Sequence, residues 1–134
     1  MKLILAHGCF DLTHLGHIRH LRQAKAMGDK LIVTVTPDAA ITKGTGRPVF
    51  TAQQRVEALF ALWFVDLAFE STALDAIRTL RPWLYVKGPE CRANQTPGLL
   101  AEIDAVRACG GDIAYTDGEV FSSTEIMQRI LDND

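Results

Sequence analysis

An open, doubly wound α/β sheet of five parallel strands is the fold class predicted by this 134-residue sequence. Short apolar, β-branched runs alternate with segments whose apolar residues recur every three or four positions, which implies parallel strands joined by right-handed crossovers. Ligands of such sheets bind beyond the carboxyl ends of the strands, where strand order reverses. The loops expected there are GCFDLTHLGH, TPDAAITKGTGRPV, KGPECRANQTPG and TDGEVFSST, the most chemically loaded stretches of the chain. Length, and the lack of repeats, low-complexity runs or linkers, predict one domain over residues 1–134.

The elements follow in order. Residues 2–6 read as a buried strand that ends in a Gly-Cys-Phe-Asp turn. Leu15, Ile18, Leu21 and Ala24 have helical spacing over 14–27, and Gly28 stops the helix. LIVTV at 31–35 is a strand closed by Pro37, and KGTGRP at 43–48 is a basic, glycine-containing loop. Thr51 with Gln54 forms a capping box for a helix whose buried face is Val56, Leu59, Phe60 and Leu62. A strand at 65–69, a helix at 71–80 and a strand at 83–87 come next. A loop at 88–98 leads to a helix at 99–108, a strand at 112–115 and a last helix at 122–131.

Composition narrows the function classes. Apolar residues make up 48% and charged residues 22%, the balance of a globular protein. A net charge of −2 gives no basic footprint for nucleic acid or an anionic membrane. Apolar runs fall far short of the ~20 residues that span a bilayer, and no secretory signal pattern opens the chain. Three cysteines, odd in number and widely spaced, indicate no disulfide framework and suggest a reducing, cytoplasmic setting.

All four histidines lie between residues 7 and 20, and they could serve a metal or a phosphate. His14 and His17 sit at the first turn of the predicted helix, where unpaired N–H groups and the macrodipole favour an anion. Gly16 between them removes a side chain where a phosphate would approach the backbone. A metal needs three or four converging ligands. His20, the third candidate, lies about 120° round the helix from His14, and no HExxH motif is present. No metal ligand from the protein is therefore expected.

Gly8-Cys9-Phe10-Asp11 followed by His14-Leu15-Gly16-His17 resembles the signature of the H-x-G-H nucleotidyltransferases, α/β enzymes that include cytidylyltransferases and adenylyltransferases. The resemblance continues in order through Gly46-Arg47-Pro48 with Gln54-Arg55, Phe64-Val65-Asp66, Val86-Lys87-Gly88 and Phe121-Ser122-Ser123-Thr124. It implies a Rossmann-like nucleotidyltransferase fold. It also implies a reaction in which an acceptor phosphate attacks the α-phosphorus of a nucleoside triphosphate and releases pyrophosphate.

What the family implies for individual residues is as follows. His14 and His17 steady the α- and β-phosphates, and Lys43 reaches over them from the loop after the second strand. Gly8, Cys9, Phe10, Gly16, Arg55, Lys87 and Gly88 belong to the nucleotide contacts. Phe121, Ser122, Ser123 and Thr124, at the start of the last helix, suit the β- and γ-phosphates. Asp11 is a candidate to contact the acceptor or to orient a lysine, and Lys87 and Glu90 are candidates for acceptor or base contacts. Magnesium is expected to enter with the triphosphate, held by its oxygens and water. A homodimer is expected, with Trp63-Phe64-Val65 as one possible contact and a buried core strand as the other reading of those residues.

Two branches of the family compete. The glycerol-3-phosphate cytidylyltransferases carry arginines in R-Y-V-D-E-V and R-T-E-G-I-S-T-T, but this chain has Trp63 and Asp117 where those arginines would stand. Arginine gives fixed, bidentate phosphate recognition that neither replaces. The V-K-G, G-R-P and F-S-S-T stretches resemble instead the branch that holds the nucleotidyltransferase domain of ADP-heptose synthesis. That branch favours ATP over CTP and a sugar phosphate acceptor. A phospho-alcohol or phosphonate cytidylyltransferase is the alternative, and a silent nucleotide-binding module a remote one. Pro89-Glu90-Cys91 departs from the G/S-D-Y of the branch, so the acceptor pocket is expected to differ there.

Overall fold

The computed structural model describes residues 1–41, 44, 46–118 and 123–132. Five strands, β1 (Leu3–Gly8), β2 (Lys30–Val35), β3 (Leu67–Glu70), β4 (Leu84–Lys87) and β5 (Asp112–Tyr115), form one sheet in the order β3-β2-β1-β4-β5. Every pairing is parallel. The chain builds outward from β1 through β2 to β3, then crosses to β4 on the other side, so the switch point lies between β1 and β4. The doubly wound reading is therefore correct.

Alternation along each strand sends side chains to two cores. Ile4 and Ala6 of β1 join Leu31, Val33 and Val35 of β2 on one face, packed by helices α1 (Leu15–Ala26) and α2 (Ala52–Phe60). Leu5 and Tyr85 join Ile32 on the other face, packed by α3 (Ala73–Leu80) and α5 (Pro97–Ala108). Among the described residues no helix is long and apolar enough to cross a membrane.

Several boundaries and faces differ from expectation. β1 runs two residues further than predicted, pairing His7 with Thr34 and Gly8 with Val35, so His7 is a strand residue and not part of the turn. In α1 the buried stripe begins a turn later than expected. Leu21 and Ala24 are fully buried, whereas Leu15 is 49% exposed because the first turn stands over a cavity and not over the sheet. Thr51 and Gln54 make the expected capping box on α2. Phe60, however, is 49% exposed, since it lies about 100° round the helix from Leu59. The inward positions are Ala52, Arg55 and Leu59.

The 88–98 stretch is not all loop. Gly88 precedes a short helix, α4 (Pro89–Ala93), and Pro97 opens α5 with Thr96 as its cap. Proline is suited to both first positions, because its fixed φ is helical and the missing N–H is an orphan there anyway. Helix α6 (Ser123–Asp132) closes the chain.

The Trp63-Phe64-Val65 stretch precedes β3 and is not itself a strand. Phe64 and Val65 are buried, while Trp63 is 83% exposed. Asp66 accepts hydrogen bonds from Leu31 N (2.8 Å) and Lys25 Nζ (2.7 Å), which ties the entry of β3 to β2 and α1.

Candidate active site

The carboxyl ends of β1, β4 and β5 and the inner face of α1 enclose a cavity of about 460 Å³. Its construction starts at the α1 N-terminus. His14 is the N-cap, in extended backbone conformation, and its Nδ1 accepts from Gly16 N at 3.1 Å. His14 N donates in turn to His17 Nδ1 at 3.3 Å. The two imidazoles thus form a capping box, a task usually given to Ser or Thr with Glu or Gln. Their rings stack with centroids 3.9 Å apart, and the edge of Phe10 packs against His17 at 5.1 Å. Because both Nδ1 atoms accept main-chain hydrogen bonds, the ring proton of each neutral imidazole sits on Nε2. The pair combines these donors with the positive end of a helix.

Phe10 holds φ at +50°, a left-handed value that a bulky residue seldom adopts. The turn directs the chain from β1 into Asp11, and tight packing holds it there. A Cβ on Gly8 would come within 2.9 Å of the Phe10 ring.

Further in, His7 and His20 line the cavity with Lys87 and Glu90. His7 Nδ1 is 2.8 Å from Thr34 Oγ1, and its Nε2 is 3.3 Å from Thr36 Oγ1. His20 Nδ1 lies 2.6 Å from Thr116 Oγ1. Lys87 Nζ donates to the His7 carbonyl at 3.3 Å. Burial, reinforced by the charge of Lys87, pushes both His7 and His20 down to about 4.

Both rings are therefore neutral at pH 7. A histidine with a depressed folded pKa binds fewer protons than in the unfolded chain, so its contribution is complete above about 6.5 and is lost as pH falls toward 4. We expect an NMR titration to leave both rings neutral at pH 5.5, and the melting temperature to drop between pH 6.5 and 4.5. A His7 or His20 midpoint near 6.5 would refute this.

Most residues singled out from the sequence meet in this cavity. Gly8, Cys9, Phe10, His14, Gly16, His17, Lys87, Gly88 and Glu90 all line it. Three described residues, Asp11, Arg55 and Thr124, are not in its lining. The Asp11 carboxylate has no exposed surface and accepts from Arg47 Nε (2.6 Å), Val49 N (2.8 Å) and Phe50 N (2.9 Å). It anchors the loop after β2 and has no face left toward an acceptor. Arg55, also unexposed, donates from Nε to the Phe50 carbonyl, from Nη1 to the Cys9 carbonyl and from Nη2 to Asp38 Oδ1. It is an internal strut, and not the nucleotide contact expected from its motif.

Thr124 Oγ1 accepts from Arg47 Nη1 at 3.2 Å. Lys43, Phe121, Ser122 and the side chain of Ser123 lie outside the described residues. The sequence reading missed His7, His20, Gln23 and residues 116–118 as cavity wall. A signal existed on α1, where His14, His17, His20 and Gln23 recur every three residues.

Asp11 and Arg55 line a second depression of about 560 Å³, on the far side of the β1 turn, together with Leu12, Phe50, Ala58 and Ala61. It shares only Phe10 with the first.

A sequence model described as cytidylyltransferase-like matches residues 5–129. The chain belongs to the cytidylyltransferase-like family. It is therefore a nucleotidyltransferase-type enzyme, and the cavity lies at the switch point of the sheet, where ligands of such sheets bind. Among curated relatives it is 38% identical to the "bifunctional protein HldE" of Syntrophotalea carbinolica, over 97% of this chain and 27% of that protein. It is also 38% identical to HldE of Azotobacter vinelandii, over 96% of this chain and 28% of that protein. The chain thus spans little more than a quarter of the length of these relatives.

Among solved structures, the lipopolysaccharide core biosynthesis protein of Thermoplasma volcanium superposes with a TM-score of 0.74 at 23% identity, covering 90% of this chain and 99% of that one. Thermotoga maritima TmcAL gives 0.68 at 15% identity, covering 99% and 51%. At such identities these likenesses bear on the fold of this cytidylyltransferase-like chain, and on that alone.

Proposed function

We propose that this cytidylyltransferase-like chain transfers a nucleotidyl group from a nucleoside triphosphate, ATP in preference to CTP, to a sugar 1-phosphate of the D-glycero-D-manno-heptose 1-phosphate type. The observation that carries the reading is the His14–His17 pair. Two stacked imidazoles cap a helix N-terminus at the mouth of a cavity large enough for a nucleotide.

An oxygen of the acceptor phosphate attacks the α-phosphorus, the bond to the bridging oxygen breaks, and pyrophosphate leaves with the electron pair. Two anions must meet, so alignment and charge stabilisation supply the catalysis. In this reading the Nε2–H groups of His14 and His17, at the positive end of α1, hold the α- and β-phosphates as charge moves to the leaving group. Lys43 reaches over the same phosphates, and Ser122 to Thr124 hold the terminal ones. Lys87 neutralises charge on the cavity floor, and Glu90 faces the acceptor or the base.

Among the described residues, no three His, Cys, Asp or Glu side chains are grouped so as to hold a metal ion. Asp11 is engaged by Arg47, which leaves Glu90 and Asp117 as the cavity carboxylates. Those residues fit magnesium carried in on the triphosphate, where it would neutralise phosphate charge. The preference for ATP and a heptose phosphate rests on the branch resemblance, on the HldE relatives and on the two absent arginines.

Pyrophosphate release should be measured with ATP, CTP, GTP and UTP against sugar 1-phosphates, glycerol 3-phosphate and phosphonates. ATP with a heptose 1-phosphate is expected to give the highest kcat/KM. Turnover confined to CTP with glycerol 3-phosphate would replace the substrate assignment, and no turnover with any pair would overturn the reaction.

A further inference from the structure

We infer that Gln23 is a positioning residue for the nucleoside end of the cavity, holding residues 116–118 at the spacing from α1 that a bound triphosphate requires. This rests on the proposed reading of the cavity. The Gln23 Nε2 donates to the Asp117 carbonyl at 2.7 Å, and Asp117 N donates to Gln23 Oε1 at 2.9 Å, across 94 residues of sequence. A carboxamide has one donor edge and one acceptor edge, as a peptide group does. Gln23 therefore pairs with Asp117 as a neighbouring strand would, at a place where the sheet has ended.

Two further ties make the arrangement directional. One turn earlier on α1, His20 holds Thr116, and Thr116 N donates to the Lys87 carbonyl at 2.9 Å. Immediately after the clamp, Gly118 takes φ +126°, a conformation that side chains disfavour. The rim of the cavity is thus set by side chains of α1, the helix whose N-terminus carries His14 and His17. His14 and Gln23 lie about 13 Å apart along the helix axis, so one rigid element fixes both ends of the cavity.

Stability alone does not call for this clamp. Both Asp117 groups lie at the surface, where water would satisfy them, and an exposed hydrogen bond adds little net stability. What the clamp fixes is position. Glutamate would keep the acceptor for Asp117 N but face the Asp117 carbonyl with a second acceptor, and alanine would remove both bonds.

The test compares the full chain with Gln23→Ala and Gln23→Glu. It measures equilibrium binding of α,β-methylene ATP and CTP, kcat and KM for pyrophosphate release, and amide hydrogen exchange at Asp117. Alanine is a good helix former, so the fold is expected to stand. Both variants should bind triphosphate roughly tenfold more weakly, with kcat at saturation within about twofold and faster exchange at Asp117. Unchanged affinity in the variants, or a fall in kcat at unchanged affinity, would overturn the inference and leave the proposed function standing. A wild-type chain that binds no triphosphate would overturn both.

Discussion

His14→Asn is expected to leave the fold standing and to lower turnover about 10²–10³-fold. The substitution separates two duties that His14 combines. As N-cap it accepts from Gly16 N, and asparagine is among the best residues for that task. As a phosphate ligand it offers an imidazole donor stacked on His17, and asparagine neither reaches as far nor stacks. The melting temperature should therefore stay within a few degrees while kcat/KM collapses. Turnover within threefold of wild type would mean that His14 is a cap and nothing more. His14→Ala is the useful contrast, since it removes both duties and adds a stability loss of about 1 kcal/mol.

Asp11→Ala should be the most destabilising change in the loop after β1, by about 3–5 kcal/mol. The Asp11 side chain has no exposed surface and that of Arg47 is 4% exposed. Removing the carboxylate leaves a buried guanidinium uncompensated and deprives Val49 and Phe50 of their acceptor. A drop of more than ~10 °C in melting temperature is expected, and a change under ~1 kcal/mol in urea unfolding would contradict the assignment.

The acid side offers a second check. Burial raises the Asp11 carboxyl, but hydrogen bonds from Phe50 and Val49 and the Arg47 guanidinium outweigh it and hold the group below the usual range. The unfolded chain then binds more protons, so this stabilisation is complete above about 3.8 and disappears as pH falls through the lower folded value. The variant should lose that part of the acid transition.

The fold was legible because its signals are local. β-branched runs, the Thr51–Gln54 capping box and the loaded loops each depend on neighbours in the chain. The His14–His17 pair was legible for the same reason, since its spacing and helix terminus lie within four residues. Asp11 and Arg55 were not. A charged residue in a motif reads identically whether it meets a ligand or a buried partner, and only folding brings Arg47 to Asp11, or Cys9 and Asp38 to Arg55. The three-residue recurrence points to Gln23 as cavity wall, but its pairing with Asp117 was not legible, because that partner lies 94 residues away. The angle between His20 and His14 bears on metal ligation alone, and the cavity follows the α1 face inward and takes in both.

The central claim is that a triphosphate lies along α1, phosphates at His14 and His17 and nucleoside at residues 116–118. An amide chemical-shift titration of the labelled chain with α,β-methylene ATP and magnesium tests it most directly. Saturable shifts at Gly16, His17, Gly88, Thr116 and Gly118, with Ala58 and Ala61 silent, are the expected result. Shifts centred on Ala58 and Ala61 in the second depression, or no saturable shift anywhere, would contradict it.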